Sequence, residues 1–267
     1  MRRIWAFFVR DATIAMSYRA SFVAQLLGNL LILGVFFFIG RTVSSETSAA
    51  LAPYGGNFFA FLLVGLSLGD CVGVSLTTFG QQIREGQVTG TLEVTLMSSM
   101  RLSTMLVYSS LWNYFFAFVR FVLYLGLGSV LYGVSFGNAN VPAALVLFVL
   151  TVLCFLGLGV LWASVVLVIK RGEALMTTIG YGVILMSGVL FPTTVLPGWL
   201  SAMSSLIPLT HSLEGMRLAL LTGARMGDLL PIFGKLTIFA LVFLTIGFSA
   251  FDRAVRSAKQ AGSLTQF

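Results

Sequence analysis

Runs of apolar residues, hardly interrupted by charge, recur along this chain near residues 21–40, 58–79, 104–132, 142–169, 174–191 and 235–251. A hydrocarbon core of roughly 30 Å needs about 20 apolar residues in a helix, so each run is read as a membrane span. The runs are continuous rather than alternating. In lipid every backbone N–H and C=O must be satisfied within the segment, so helices are expected and a barrel is not. The third and fourth runs are long enough to tilt or to project beyond the bilayer. The expected fold class is an all-α membrane protein with six transmembrane helices. It divides into an N-terminal interfacial helix over 1–20 and a single six-helix domain over 21–267.

Composition changes little in that picture. Of the 267 residues, 58% are hydrophobic and only 9% charged, where a soluble domain carries about 25% charged residues. Mean hydropathy is +0.98. Cys71 and Cys154 both fall inside apolar runs, too few for a disulfide framework, and read as small packing residues. The first twenty residues carry Arg2, Arg3, Arg10 and Arg19 without a sustained apolar core, so no cleavable signal peptide is expected.

Charge adds orientation. The net charge is +7, and most of the basic residues sit in the N-terminal segment, at Arg84 and Arg101, at Lys170 and Arg171, and at Arg253, Arg256 and Lys259. The opposite loops hold Arg41, Arg217 and Arg225, with Lys235 at a boundary. By the positive-inside rule both termini are cytoplasmic, which an even number of spans also requires. The basic balance is therefore a topology signal and a secondary attraction to anionic lipid, and nucleic acid is not an expected partner.

Four segments break the apolar pattern. Residues 2–18 place Arg3, Arg10, Thr13 and Ser17 on one helical face, with Ile4, Phe8, Ala12 and Ala15 opposite, as in a helix lying along the cytoplasmic interface. Residues 41–57 are polar, with Pro53 and Gly55–Gly56 as breakers, and are expected outside. Residues 81–103 form a cytoplasmic segment long for a bare hairpin. Thr91 there can cap a short helix opening at Leu92–Glu93, and Leu92, Leu96 and Met97 would give it an apolar stripe. Residues 192–231 are punctuated by Pro192, Pro197 and Pro208 and read as short re-entrant or interfacial helices on the external side.

Two of these segments carry a resemblance. "REGQVTGTLEVTLMSS", with Gly90-Thr91-Leu92-Glu93, resembles the cytoplasmic coupling segment of type-2 ABC exporter permeases, although the proline expected after it is replaced around Ser99–Met100. "SGVLFPTTVLPGWLSAMSSLIPLTHSLEGMRLALLTG" resembles that family's signature around and after the fifth span. It matches at Gly188, Phe191, Pro192, Leu196, Pro197, Trp199, Pro208, Leu209, Thr210, His211, Glu214, Arg217 and Gly223. The resemblance implies a permease of the bacterial plasma (inner) membrane that pairs with itself or a related permease and binds two copies of a separate ABC ATPase. It also implies ATPase coupling through Arg84, Glu85, Gly90, Thr91, Leu92, Glu93 and Leu96. The external gate would then comprise Pro192, Pro197, Trp199, Pro208, His211, Glu214, Arg217 and Gly223.

The residues agree that nucleotide chemistry must come from elsewhere. A P-loop needs G-x-x-x-x-G-K-[ST], and Gly227 with Gly234-Lys235-Leu236 has the wrong spacing and ends in Leu. No cofactor or metal is expected on this chain, with ATP and magnesium assigned to the partner subunit, and no catalytic residue is expected. Gly65-Leu66-Ser67-Leu68-Gly69 and the single His211 invite comparison with an intramembrane serine protease. That elbow belongs to a strand–turn–helix context, however, and here it lies mid-helix. Gly65, Ser67, Gly69 and Gly73 read instead as close-packing positions. A secondary transporter or a non-transporting scaffold is the alternative function, but no repeat between the halves supports it.

Charges inside spans are costly and mark pairs or pathways. Asp70 and Arg120 stand at equal expected depth, which suits an ion pair, and an aqueous pathway touching an ionic substrate is the other reading. Glu214 and Arg217, three residues apart, are placed either to pair locally or to lock the external helices and line a gate. The 24 phenylalanines and the scarcity of intramembrane charge favour an amphipathic or lipid-linked cargo such as a polysaccharide, lipid or drug.

Overall fold

The computed structural model describes residues 2–17, 19–42, 51–88, 102–169 and 173–260. The described residues are helical with no strand. The helices are α1 (Arg2–Ser17), α2 (Arg19–Thr42), α3 (Phe58–Val88), α4 (Leu102–Tyr132), α5 (Val141–Ile169), α6 (Glu173–Met186), α7 (Gly198–Ser204), α8 (Pro208–Arg217) and α9 (Leu230–Gln260).

Four of them are long and apolar enough to cross a membrane: Phe58–Gly86, Leu102–Tyr132, Val141–Leu167 and Leu230–Ser257. Each is about 40–47 Å long at 1.5 Å per residue, more than the hydrocarbon thickness. The chain is thus a multi-pass membrane protein. The first predicted run lies in α2, whose apolar stretch Leu30–Gly40 is shorter. The fifth, predicted over 174–191, is helical only to Met186, about 21 Å. Its helix ends because Gly188 turns left-handed at φ +82°, a conformation that side chains with a Cβ avoid.

Helix starts follow local chemistry. The Asn57 Oδ1 accepts the Ala60 N–H at 3.0 Å at the entry to α3, and the Asn140 Oδ1 accepts the Ala143 N–H at 3.2 Å at the entry to α5. Both are N-cap bonds that satisfy one of the orphan donors of a first turn. Pro142 and Pro208 stand in first turns, where the missing N–H costs nothing.

The α5 helix is the hub, packed along α9 and α3 and receiving α8. Small residues set the spacing. A Cβ on Gly157 would lie 2.5 Å from the Leu244 nitrogen of α9, and one on Gly159 would lie 2.5 Å from the Ser75 carbonyl oxygen of α3. Without a hydrophobic force between helices in lipid, such close backbone approach supplies the attraction. The Cys154 thiol adds a hydrogen bond to the Leu236 carbonyl at 3.2 Å. The main core joins Leu68, Phe121, Leu147, Phe155, Leu213 and Met216. A second cluster around Phe79, Ile83, Leu106 and Phe251 fills one end of the bundle. A third, around Leu33, Phe59, Leu63 and Tyr124, joins α2 to the opposite end.

The α1 helix lies against the beginning of α4. Phe8 meets Trp112 and Phe115 edge-on, with centroids 5.1 and 5.6 Å apart, and Arg10 donates to the Ser109 hydroxyl at 3.2 Å. The side chains of α1 described as exposed are Trp5, Val9, Arg10 and Thr13, so apolar residues share its exposed surface with the polar ones. The start of α4, the end of α3 and α1 therefore share one end of the bundle.

Candidate functional site

The proline-punctuated segment folds into three short pieces as its breakers dictate. Thr193–Val195 forms a single 3-10 turn after Pro192, Pro197 caps α7, and Pro208 opens α8. Trp199 is 67% exposed, whereas His211, Leu213, Met216 and Arg217 of α8 are buried. Helix α8 continues into a π turn, Leu218–Thr222, which ends at Gly223 with φ +69°. A side chain there would strike the Asn138 carbonyl. Asn140 completes the join by donating its amide to the Ala224 carbonyl at 2.9 Å.

Arg217 is the centre of this assembly. The Nε donates to the Phe61 carbonyl at 3.3 Å, Nη1 to Gly188 at 2.9 Å and Nη2 to Val189 at 3.0 Å. The guanidinium lies over the Phe61 ring, 3.3 Å from its centroid, and 6.0 Å from that of Tyr54. Three chain segments thus converge on one planar fork, the geometry that distinguishes arginine from lysine. Burial lowers the Arg217 pKa to about 9, with Tyr54 opposing, so the group remains a cation at neutral pH. Burial likewise raises the Tyr54 phenol, with Glu214 adding to the rise and Arg217 opposing it.

The i, i+3 spacing of Glu214 and Arg217 had suggested a local pair, and the structure arranges them otherwise. Arg217 turns inward onto carbonyls, while Glu214 is 47% exposed and stands 4.0 Å from the His211 Nδ1. Gly65 makes the Arg217 position possible. A Cβ there would collide with the Val189 carbonyl and come within 2.7 Å of the Arg217 Nη2. Ser67 of the glycine–serine motif is buried and bonds back to the Val64 carbonyl at 3.1 Å, whereas Gly73, expected as a close-packing position, is not one: a Cβ there would meet nothing within 4 Å. Val189 also faces Gly69. The turn after α6 therefore meets α3 seven to eleven residues from its start, about 10–16 Å below that end.

Asp70 and Arg120 face one another across α3 and α4, Oδ2 to Nη2 at 3.1 Å. Asp70 is twelve residues from the Phe58 end of α3 and Arg120 twelve from the Tyr132 end of α4, so both lie about 18 Å below. Arg120 is only 4% exposed and Asp70 22%. The neighbouring Cys71 thiol donates to the Ala117 carbonyl at 3.3 Å. At the other end of α3, Arg84 and Glu85 are exposed. Gly90, Thr91, Leu92, Glu93 and Leu96 lie outside the described residues. Among the described residues no cluster of three or more His, Cys, Asp or Glu side chains could hold a metal.

Sequence reasoning did not anticipate the carbonyl cage around Arg217, because its acceptors are backbone groups that any residue possesses. The only hint was a basic residue and a helix-terminating Gly188 within one motif.

No curated protein matches the chain with significance. A family model described as ABC-2 family transporter protein matches residues 55–249, from the turn before α3 through most of α9. That range contains three of the four span-length helices and most of the fourth, the Asp70–Arg120 pair and the Arg217 cage of Phe61, Gly188 and Val189. The chain is therefore a member of the ABC-2 transporter family, a family of membrane components that generally work with an ABC ATPase.

Proposed function

We propose that the chain is the permease subunit of an ATP-driven exporter in the bacterial inner membrane, crossing it six times with both termini in the cytoplasm. It works as a dimer, with itself or a related permease, and two copies of a separate ATPase bind ATP and magnesium. The observation that carries this reading is the shared end of the bundle. Helix α3 runs past its apolar part to Val88 and exposes Arg84 and Glu85 beside the start of α4 and the basic, interfacial α1. The segment bearing Glu93 and Leu96 follows directly, where an external motor could push on α3 and α4 together.

In this reading, closure of the ATPase tilts those helices and opens a path along the dimer interface. The α7–α8 segment, anchored through Arg217 to the turn that meets α3 at the depth of Gly65, serves as a re-entrant external gate, and the cargo is amphipathic or lipid-linked. Co-expression with candidate ABC ATPase subunits from the same genome tests it. The expected result is a complex of two permeases and two ATPases, lost in Glu93→Arg and Leu96→Asp while the permease still inserts and dimerises. Retention of the complex in both variants would refute the coupling assignment, and absence of any complex would refute the permease reading.

A further inference from the structure

The single histidine of the chain is held in an unusual arrangement at the α7–α8 corner. The His211 Nε2 lies 2.9 Å from the Ser205 carbonyl oxygen. A carbonyl only accepts, so Nε2 carries the proton and, in neutral imidazole, Nδ1 is a bare acceptor. That Nδ1 is buried without a hydrogen-bond partner, and the Glu214 Oε2 stands 4.0 Å from it. Lone pair faces carboxylate, and neither can donate. Stacking on Phe239 of α9 at 5.9 Å and 25° holds the ring plane, and a flip within that plane would forfeit the Nε2 bond to Ser205.

We infer that this corner is a proton-operated latch: protonation of His211 from the external solution joins it to Glu214 and puts a positive charge on its existing bond to the Ser205 carbonyl of the α7–α8 turn. The imidazolium donates from Nε2 to Ser205 and from Nδ1 to Glu214. The clash of two acceptors becomes a charge-assisted hydrogen bond on the exposed carboxylate. Glu214 reaches solvent and supplies the route for the proton. The consequence for transport, a gate held more firmly when the outside is acidic, rests on the gate reading above, whereas the latch itself does not.

Other charges around the ring do not remove the need for a proton. Arg217, on the same helix, is engaged by three carbonyls and Phe61. Tyr54 feels Glu214 but is a neutral phenol at physiological pH. Lys235 on α9 is exposed, one turn before Phe239. The α7–α8 turn contributes no titratable side chain, and helix α5 contributes only Cys154, whose thiol is bonded to the Leu236 carbonyl. Because protonation gains a partner in the folded state, stability rises as His211 takes up its proton and is lost as the proton leaves.

The test uses the full chain in nanodiscs without any ATPase, so its outcome is independent of the exporter assignment. Nitrogen NMR of the one labelled imidazole, followed over a series of falling pH values, should show the Nε2–H tautomer in the neutral form and N–H groups on both nitrogens once the ring is protonated. Over the same interval the melting temperature should rise by roughly 3–10 °C. His211→Gln should abolish the rise. Glu214→Gln should abolish it differently, because the new amide donates to the bare Nδ1 and makes the neutral form as stable as the acid wild type. An Nδ1–H tautomer at the higher pH would overturn the latch. So would a wild-type melting temperature that does not rise, or a rise that survives in both variants.

Discussion

Replacing Arg217 by methionine keeps an unbranched stem of similar reach and removes the planar fork. The Gly188 and Val189 carbonyls, which belong to a turn, then lose their donors at 2.9 and 3.0 Å. A buried carbonyl left without a partner costs about 1–3 kcal/mol. The stack on Phe61 contributes about 1–2 kcal/mol when desolvated. Relief from burying a cation offsets part of this, since apolar replacements of buried charges are often tolerated. A net loss of about 3 kcal/mol remains. For a chain of this size each kcal/mol moves the melting temperature by about 2–4 °C, so a fall of about 6–12 °C is expected. Thermal denaturation of purified protein followed by size-exclusion fluorescence reads it directly. Arg217→Lys should fall between wild type and Arg217→Met, because the ammonium reaches fewer of the carbonyls and stacks less well. Arg225→Met, at an exposed position, should leave the midpoint unchanged, as surface substitutions usually do. If Arg217→Met melts within about 2 °C of wild type, or Arg225→Met falls equally, the cage does not hold the external segment.

Two further perturbations separate packing from chemistry. Gly65→Ala drives a methyl into the Val189 carbonyl and the Arg217 guanidinium and should destabilise as strongly as losing Arg217. Gly73→Ala meets open space and should gain up to about 1 kcal/mol of helix propensity; equal melting of the two variants would contradict the assignment. Asp70→Asn or Arg120→Met strands a charge at mid-depth and should cost about 3–5 kcal/mol. The charge-swapped double variant should recover much of the expression and stability lost in the singles. No recovery would mean the 3.1 Å contact is not what makes these residues matter.

Hydropathy located the start of α3 and the end of α4 well, because Phe58 and Tyr132 border polar or glycine-rich turns, but it stopped α3 near residue 79, where the helix continues through a polar stretch to Val88. It misplaced the start of α9, which begins at Leu230 rather than near Lys235. A window average penalises Lys235 although that side chain is exposed, and Pro231 opens the helix ahead of it. The end of α6 was overrun for the opposite reason. Ser187–Phe191 is apolar enough to continue a span, but the left-handed Gly188 and the capture of its carbonyl by Arg217 stop the helix. Equal depth of Asp70 and Arg120 was readable by counting from the helix ends. The fate of Glu214 and Arg217 was not, because i, i+3 spacing reports proximity on one helix and says nothing of carbonyls arriving from others. His211 stood in the sequence as one member of a motif. Its bare Nδ1 opposite Glu214 depends on where the Ser205 carbonyl points, which no pattern of side chains encodes.

The most direct measurement is ATP hydrolysis by the partner ATPase with and without this chain, both reconstituted in nanodiscs. The account predicts that the permease raises turnover several-fold, and that Glu93→Arg or Leu96→Asp returns it to the rate of the ATPase alone. An ATPase rate indifferent to the permease, in a preparation where the two proteins are present in equal amounts, would contradict it.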